Sequence, residues 1–141
     1  MSAPLSRLLE RIVEEMLEAV VVSDRAGVIL FWNRGAEVMF GHSAGEAVGQ
    51  TLDLIIPERH RARHWEGYRT VMSTGVTRYG RELLAVPAIR KDGRRISIEF
   101  SITLLRDDGG GLAGAAAVIR DVTARWEREQ ASRAARGPAG S

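Results

Sequence analysis

The segment Arg94–Leu105, RRISIEFSITLL, alternates apolar and polar residues with a period of two. Ile96, Ile98, Phe100, Ile102 and Leu104 face one way, and Arg95, Ser97, Glu99, Ser101 and Thr103 face the other. Successive side chains of a strand leave on opposite faces, so this spacing predicts a long strand with one buried face. Just before it, Lys91-Asp92-Gly93 reads as a hairpin turn. Residues 81–89 read as the extended partner, and Pro87, lacking an amide proton for the ladder, favours a sheet edge or a bulge there. After it, Asp107–Gly111 forms a loose loop and Leu112–Arg120 a last strand, with small residues from Ala113 to Ala117.

Working outward to the N-terminus, Val20–Ser23 and Val28–Asn33 read as a second hairpin around the tight turn Asp24-Arg25-Ala26-Gly27. Arg34–Phe40 is a short helix stopped by Gly41. Ser43-Ala44-Gly45-Glu46 has the spacing of a capping box and opens another, ending at Gly49. Thr51–Ile56 leads into a longer helix, Pro57–Gly75, with proline at its start and glycine past its end. Residues 5–19 set Leu5, Leu8, Leu9, Ile12, Val13, Met16 and Leu17 on one helical stripe, wide enough to bury against a partner chain. Asp121-Val122-Thr123 precedes a polar helix, Ala124–Ala135, and Gly137–Ser141 reads as a frayed tail. The compact solution is α+β: a five-stranded antiparallel sheet with the short helices on one face, flanked by N- and C-terminal helices. The organisation is thus an amphipathic helix over 1–19, a folded domain over 20–123, and a terminal helix and tail over 124–141.

Composition narrows the function. A chain of 141 residues with 45% hydrophobic residues can form one domain with a real core. It contains no cysteine, which excludes disulfides, thiolate-bound zinc and thiol catalysis, and fits a reducing cytoplasm. Glu10, Glu14, Glu15 and Glu18 interrupt the apolar N-terminus, unlike a secretory leader, and no apolar run is long enough to cross a bilayer. Twenty basic against 18 acidic residues are too balanced to call for nucleic acid. The expected setting is cytoplasmic, without membrane or nucleic-acid partners.

The Pro57–Gly75 helix carries the most distinctive chemistry. His60, His64, Tyr68 and Met72 recur every fourth residue and stack along one face, with Arg59, Arg61, Arg63 and Arg69 on the neighbouring ones. Imidazoles beside guanidiniums suit a ligand that is part metal and part anion; they equally suit a solvated basic helix. His60 and His64 have the i, i+4 spacing of a zinc pair, but Arg61 stands where a His-Glu-x-x-His protease has glutamate, and no third ligand is near. His42 reads as a surface residue. Trp32 could stack on a flavin, although a tryptophan on a hairpin facing a sheet is more often core. No carboxylate pair, Ser/His/Asp order or phosphate loop is present, and Gly109-Gly110-Gly111 opens a strand rather than a helix. The reading is therefore not an enzyme.

The element order and four motifs resemble the PAS sensor family. The motifs are Asp24-Arg25-Ala26-Gly27, Trp32-Asn33-Arg34-Gly35-Ala36-Glu37 with Phe40-Gly41, Arg90-Lys91-Asp92-Gly93, and Ile119-Arg120-Asp121-Val122-Thr123. The resemblance spans about residues 10–125 and implies a sensory and signalling module over 20–123, relaying through its terminal helices. Among its branches the chain is most similar to haem-bearing gas sensors. Counted back without gaps from Asp92-Gly93, His64 matches their proximal histidine, and Tyr68 nearly reproduces the tyrosine that follows it. Leu84 falls where they carry a distal arginine, and Phe100 and Ile102 match their apolar distal residues. The resemblance thus implies haem b, with iron on His64 and sensing of a diatomic gas or redox state. Tyr68, Leu84, Ile98, Phe100 and Ile102 would line the pocket. Arg61, Arg63, Arg69, Arg78 or Arg81 would supply cations for the propionates. FAD is the second candidate cofactor, although the cysteine of the blue-light branch is missing. A cofactor-free or small-metabolite module working by dimerisation and protein–protein relay is the other function. The expected partners are a second copy of the chain, through the N-terminal helix, and an output protein the residues do not identify.

Overall fold

The computed structural model describes residues 3–77 and 84–137, with Leu84 described by its backbone. Arg78 and Arg81 lie outside the described residues. Five strands, β1 (Ala19–Asp24), β2 (Ile29–Trp32), β3 (Leu84–Ile89), β4 (Arg95–Arg106) and β5 (Leu112–Asp121), form one antiparallel sheet in the order β2-β1-β5-β4-β3. The period-two segment is the long strand β4. Ile96 and Ile98 are buried while Arg95 is exposed. Pro87 sits in β3, an edge strand, where its missing amide costs no ladder bond with a further strand.

The helices are α1 (Leu5–Glu15), α2 (Arg34–Phe40), α3 (Ala44–Ala47), α4 (Arg61–Thr74) and α5 (Thr123–Arg136), with short 3-10 turns at Leu52–Ile55 and Glu58–His60. The stop and start signals act as read. Gly41 ends α2 at φ 85°, and Ser43 and Glu46 make both bonds of the capping box before α3. The core lies between the sheet and α2–α3, with Phe40 and Ile29 fully enclosed and Trp32 against Phe40.

Asn33 ties this layer to the sheet. Its Oδ1 accepts from the amides of Val20 (2.8 Å) and Ala36 (2.9 Å), and its Nδ2 donates to the carbonyls of Val13 (2.8 Å) and Glu18 (3.0 Å). All four hydrogen-bonding positions of this buried amide are filled, which is what makes its burial affordable.

Two expectations change. α1 stops at Glu15, because the chain turns extended at Met16 to deliver β1. Leu17 therefore leaves the helical stripe and is 87% exposed. The helix read from Pro57 begins instead as a 3-10 turn, with the His60 amide on the Pro57 carbonyl (2.9 Å). First-turn amides have no intrahelical carbonyl to reach, and a tight turn supplies one. His60 thus precedes α4, which keeps only His64, Tyr68 and Met72 of the quartet. The α1 stripe is not folded onto the chain's own sheet: Leu5, Leu8, Leu9 and Ile12 stay 44 to 69% exposed. Among the described residues no helix is long and apolar enough to cross a membrane.

Candidate functional site

α4 turns His64, Tyr68 and Met72 inward at four-residue intervals; Met72 is buried and the other two are half-buried. Two side chains latch this helix to the β1–β2 turn. The Tyr68 hydroxyl donates to the Asp24 carbonyl at 2.5 Å. Its one proton being used there, it accepts from the Ser23 hydroxyl at 2.9 Å. Burial pushes the phenol above its ordinary range, the Ser23 bond working partly against that. Trp65 donates its indole N–H to Asp53 Oδ1 at 2.7 Å and lays its ring over Gly27. A Cβ at Gly27 would fall 2.1 Å from that ring, so only glycine fits beneath it.

His64 stands inside this latch, edge-on to Trp65 (ring centres 4.7 Å apart) and tilted against Tyr68 (5.8 Å). Burial lowers its pKa below 6.5, with the Asp53 carboxylate pulling partly the other way. The imidazole is therefore neutral at neutral pH, the form a metal ligand needs. Its Nδ1 is buried and without a hydrogen-bond partner among the described residues, a cost that a bound partner would remove.

From the Tyr68 attachment at Ser23, the inner face of the sheet continues through Ala115 and Ala117 of β5 to Ile102 and Phe100 of β4. Alanines on the central strand keep that face low, and Ile102 and Phe100 are only half-buried. Leu84 pairs with Phe100 in the same row. Ile98 is drawn instead into the main core, 5% exposed. The structure thus packs His64 against Tyr68 on α4 and places Phe100, Ile102 and the Leu84 backbone on neighbouring strands of the sheet. Arg61 is engaged locally, donating to the carbonyls of Ile56 (3.0 Å) and Asp53 (3.3 Å); Arg63 and Arg69 are exposed.

Other candidates separate. Trp32 is 3% exposed and donates to the His42 carbonyl at 2.9 Å, leaving no ring face for a flavin. His60 meets the Arg95 guanidinium (3.4 Å), a cation beside the nitrogen a metal would use. Among the described residues no three His, Asp or Glu side chains converge on a metal position; a haem iron needs one protein ligand, which His64 can be. Ser23, Asp53 and Trp65 were not singled out from sequence, and Asp24 and Asn33 were read only as parts of a turn and of family motifs. The bonds that tie them to the site reach partners 12 or more positions away, a separation that local pattern does not encode.

At the far end of the sheet, β5 is clamped to α5. The Asp121 carboxylate accepts from the Thr123 amide (2.9 Å) and hydroxyl (2.5 Å). The Thr123 hydroxyl oxygen accepts from the Ser97 amide (2.9 Å), and the Val122 amide donates to the Ser97 carbonyl (2.8 Å). Arg125 pairs with Glu99 of β4. A displacement of β4 or β5 therefore carries α5 with it.

Residues 13–127 match the sequence family described as PAS fold. The chain is 31% identical over 118 residues to the sensor protein FixL of Bradyrhizobium diazoefficiens, covering 82% of this chain and 22% of that protein. It is 25% identical over 120 residues to the oxygen sensor protein DosP of Escherichia coli, covering 85% of this chain and 15% of that one. The chain thus spans less than a quarter of the length of these relatives. A PAS domain from Colwellia psychrerythraea superposes with a TM-score of 0.76 at 22% identity, over 86% of this chain and all of the other.

Proposed function

The chain belongs to the PAS family, and from that membership we propose that it is a cytoplasmic, non-catalytic sensory module binding haem b at His64. The observation that carries this reading is the His64 imidazole: neutral, half-buried, and with one nitrogen buried and without a hydrogen-bond partner among the described residues. A relative described as an oxygen sensor supports it. Bound haem supplies an iron position for a diatomic ligand. His64 would offer its ring nitrogen, Phe100 and Ile102 would exclude water, and Tyr68 and Trp65 would hold α4 at a fixed distance from β1. The clamp of Thr123 on Ser97 would pass a shift of the sheet to α5. Expression with added haem precursor should give a Soret band that His64→Ala abolishes. A colourless protein under those conditions refutes haem.

A second reading, a cofactor-free or small-metabolite module working by association, is favoured by one observation: two clefts on the described surface, one beside Arg59 and Arg95 and one beside Trp126, do not include His64. The same spectrum separates the two. Under either reading we propose a homodimer through the exposed α1 stripe, which would set two α5 helices side by side.

A further inference from the structure

Away from His64, an open cleft of about 510 Å³ lies between the 3-10 turn before α4 and the β3–β4 hairpin. Pro57, Glu58, Arg59, Ile89 and Arg95 line it. The hairpin register fixes its composition, since Ile89 and Arg95 are cross-strand partners at the closed end of β3–β4. The Arg90 amide on the Arg94 carbonyl (2.9 Å) holds that end shut. Arg95 reaches back across the cleft to His60 (3.4 Å), where a ring nitrogen can only accept from a guanidinium. Neither Arg59 nor Arg95 forms an ion pair with any described residue, whereas Arg61, Arg90, Arg120 and Arg125 all do. Two guanidiniums without an ion pair, that of Arg95 hydrogen-bonded to His60, thus line the cleft together with one carboxylate, Glu58, and the apolar Pro57 and Ile89.

We infer that this cleft is a second ligand site, independent of His64, for a small organic carboxylate with an apolar body. The planar guanidinium fork matches a carboxylate in a way that a point charge does not, and the proline and isoleucine floor gives the apolar body a surface to cover. An inorganic anion would use the charges and leave the floor bare. A neutral analogue would use the floor and leave the charges unsatisfied. The position is suited to input: the turn it touches leads directly into α4, and Arg95 also borders a second cleft with Thr123, Trp126 and Glu127 at the start of α5. Occupancy would therefore bear on both the helix carrying His64 and the terminal helix.

Sodium benzoate is the probe, titrated into the intact chain and followed by amide chemical shifts and calorimetry. Saturable shifts are expected at His60, Ile89 and Arg95. Arg59→Gln and Arg95→Gln should each loosen binding by about tenfold, the scale of one charge-assisted bond. Benzyl alcohol should not bind, and inorganic phosphate should bind at least about tenfold more weakly than benzoate. His64→Ala should leave benzoate binding unchanged, which keeps this test separate from the haem test. Absence of saturable shifts, shifts centred elsewhere, affinity unmoved by both substitutions, or phosphate binding as tightly as benzoate each overturns the inference. Because Arg59 is an exposed side chain on a short turn, Arg59→Gln keeps the test decisive should Arg95→Gln fail to fold.

Discussion

Replacing Gly27 with alanine tests whether the Trp65 latch holds α4. Gly27 has φ 81°, and a Cβ there would lie 2.1 and 2.2 Å from two carbons of the Trp65 ring. Adopting that backbone costs alanine about 1 kcal/mol. The ring must also retreat by about 1 Å to reach a tolerable contact. That retreat stretches the 2.7 Å bond from the indole to Asp53, a charge-assisted bond whose loss costs about 1.5–2 kcal/mol at a half-buried site. Gly27→Ala should therefore destabilise the domain by about 3 kcal/mol. In a Trp65→Ala background, the clash and the bond are both gone, and the same change should cost only about 1 kcal/mol. The coupling, about 2 kcal/mol, is read from urea unfolding of the wild type, both single variants and the double variant. Because His64 packs edge-on against Trp65, its ring resonances should shift in Gly27→Ala while remaining those of a folded protein. A coupling within about 0.5 kcal/mol of zero, or His64 resonances that do not move, refutes the latch.

Four further outcomes follow from the geometry. His64 has its pKa lowered by burial, so the unfolded chain binds more protons in the window below 6.5. Stability should be full above pH 6.5 and fall as pH drops through that window, a dependence that His64→Gln removes from pH-resolved urea melts. Thr123→Val deletes the hydroxyl shared by Ser97 and Asp121. It should cost about 1 kcal/mol and speed hydrogen exchange at the Ser97 amide and in the first turn of α5. Leu9→Glu with Ile12→Glu charges the exposed stripe of α1. Sedimentation should then show a monomer with an unaltered pocket spectrum, and a wild type monomeric at micromolar concentration rejects the interface. Leu84 cannot donate a hydrogen bond, so the haem-loaded protein should release oxygen quickly. Slow ferrous oxygen dissociation overturns that expectation.

Much of the fold was written locally. The period-two run of β4, the glycines after α2 and α4, the Ser43–Glu46 box and Pro87 at an edge each act through neighbours within a few residues, and each appears where it was read. The motif order was enough to place the chain in its family, and His64, Tyr68 and Met72 share an inward face because helical geometry sets their spacing. What the sequence could not decide depends on contacts between distant segments. Whether His60 joins His64 turned on how the first turn closes after Pro57. Ile98 and Ile102 alternate identically along β4, yet one lies in the main core and the other is left half-buried. The latch of Trp65 on Gly27 and of Tyr68 on Ser23 and Asp24 joins residues 38 to 45 positions apart. Backbone periodicity carries no information at that range; only the packing of α4 across the sheet brings those groups within a bond length of choosing one another.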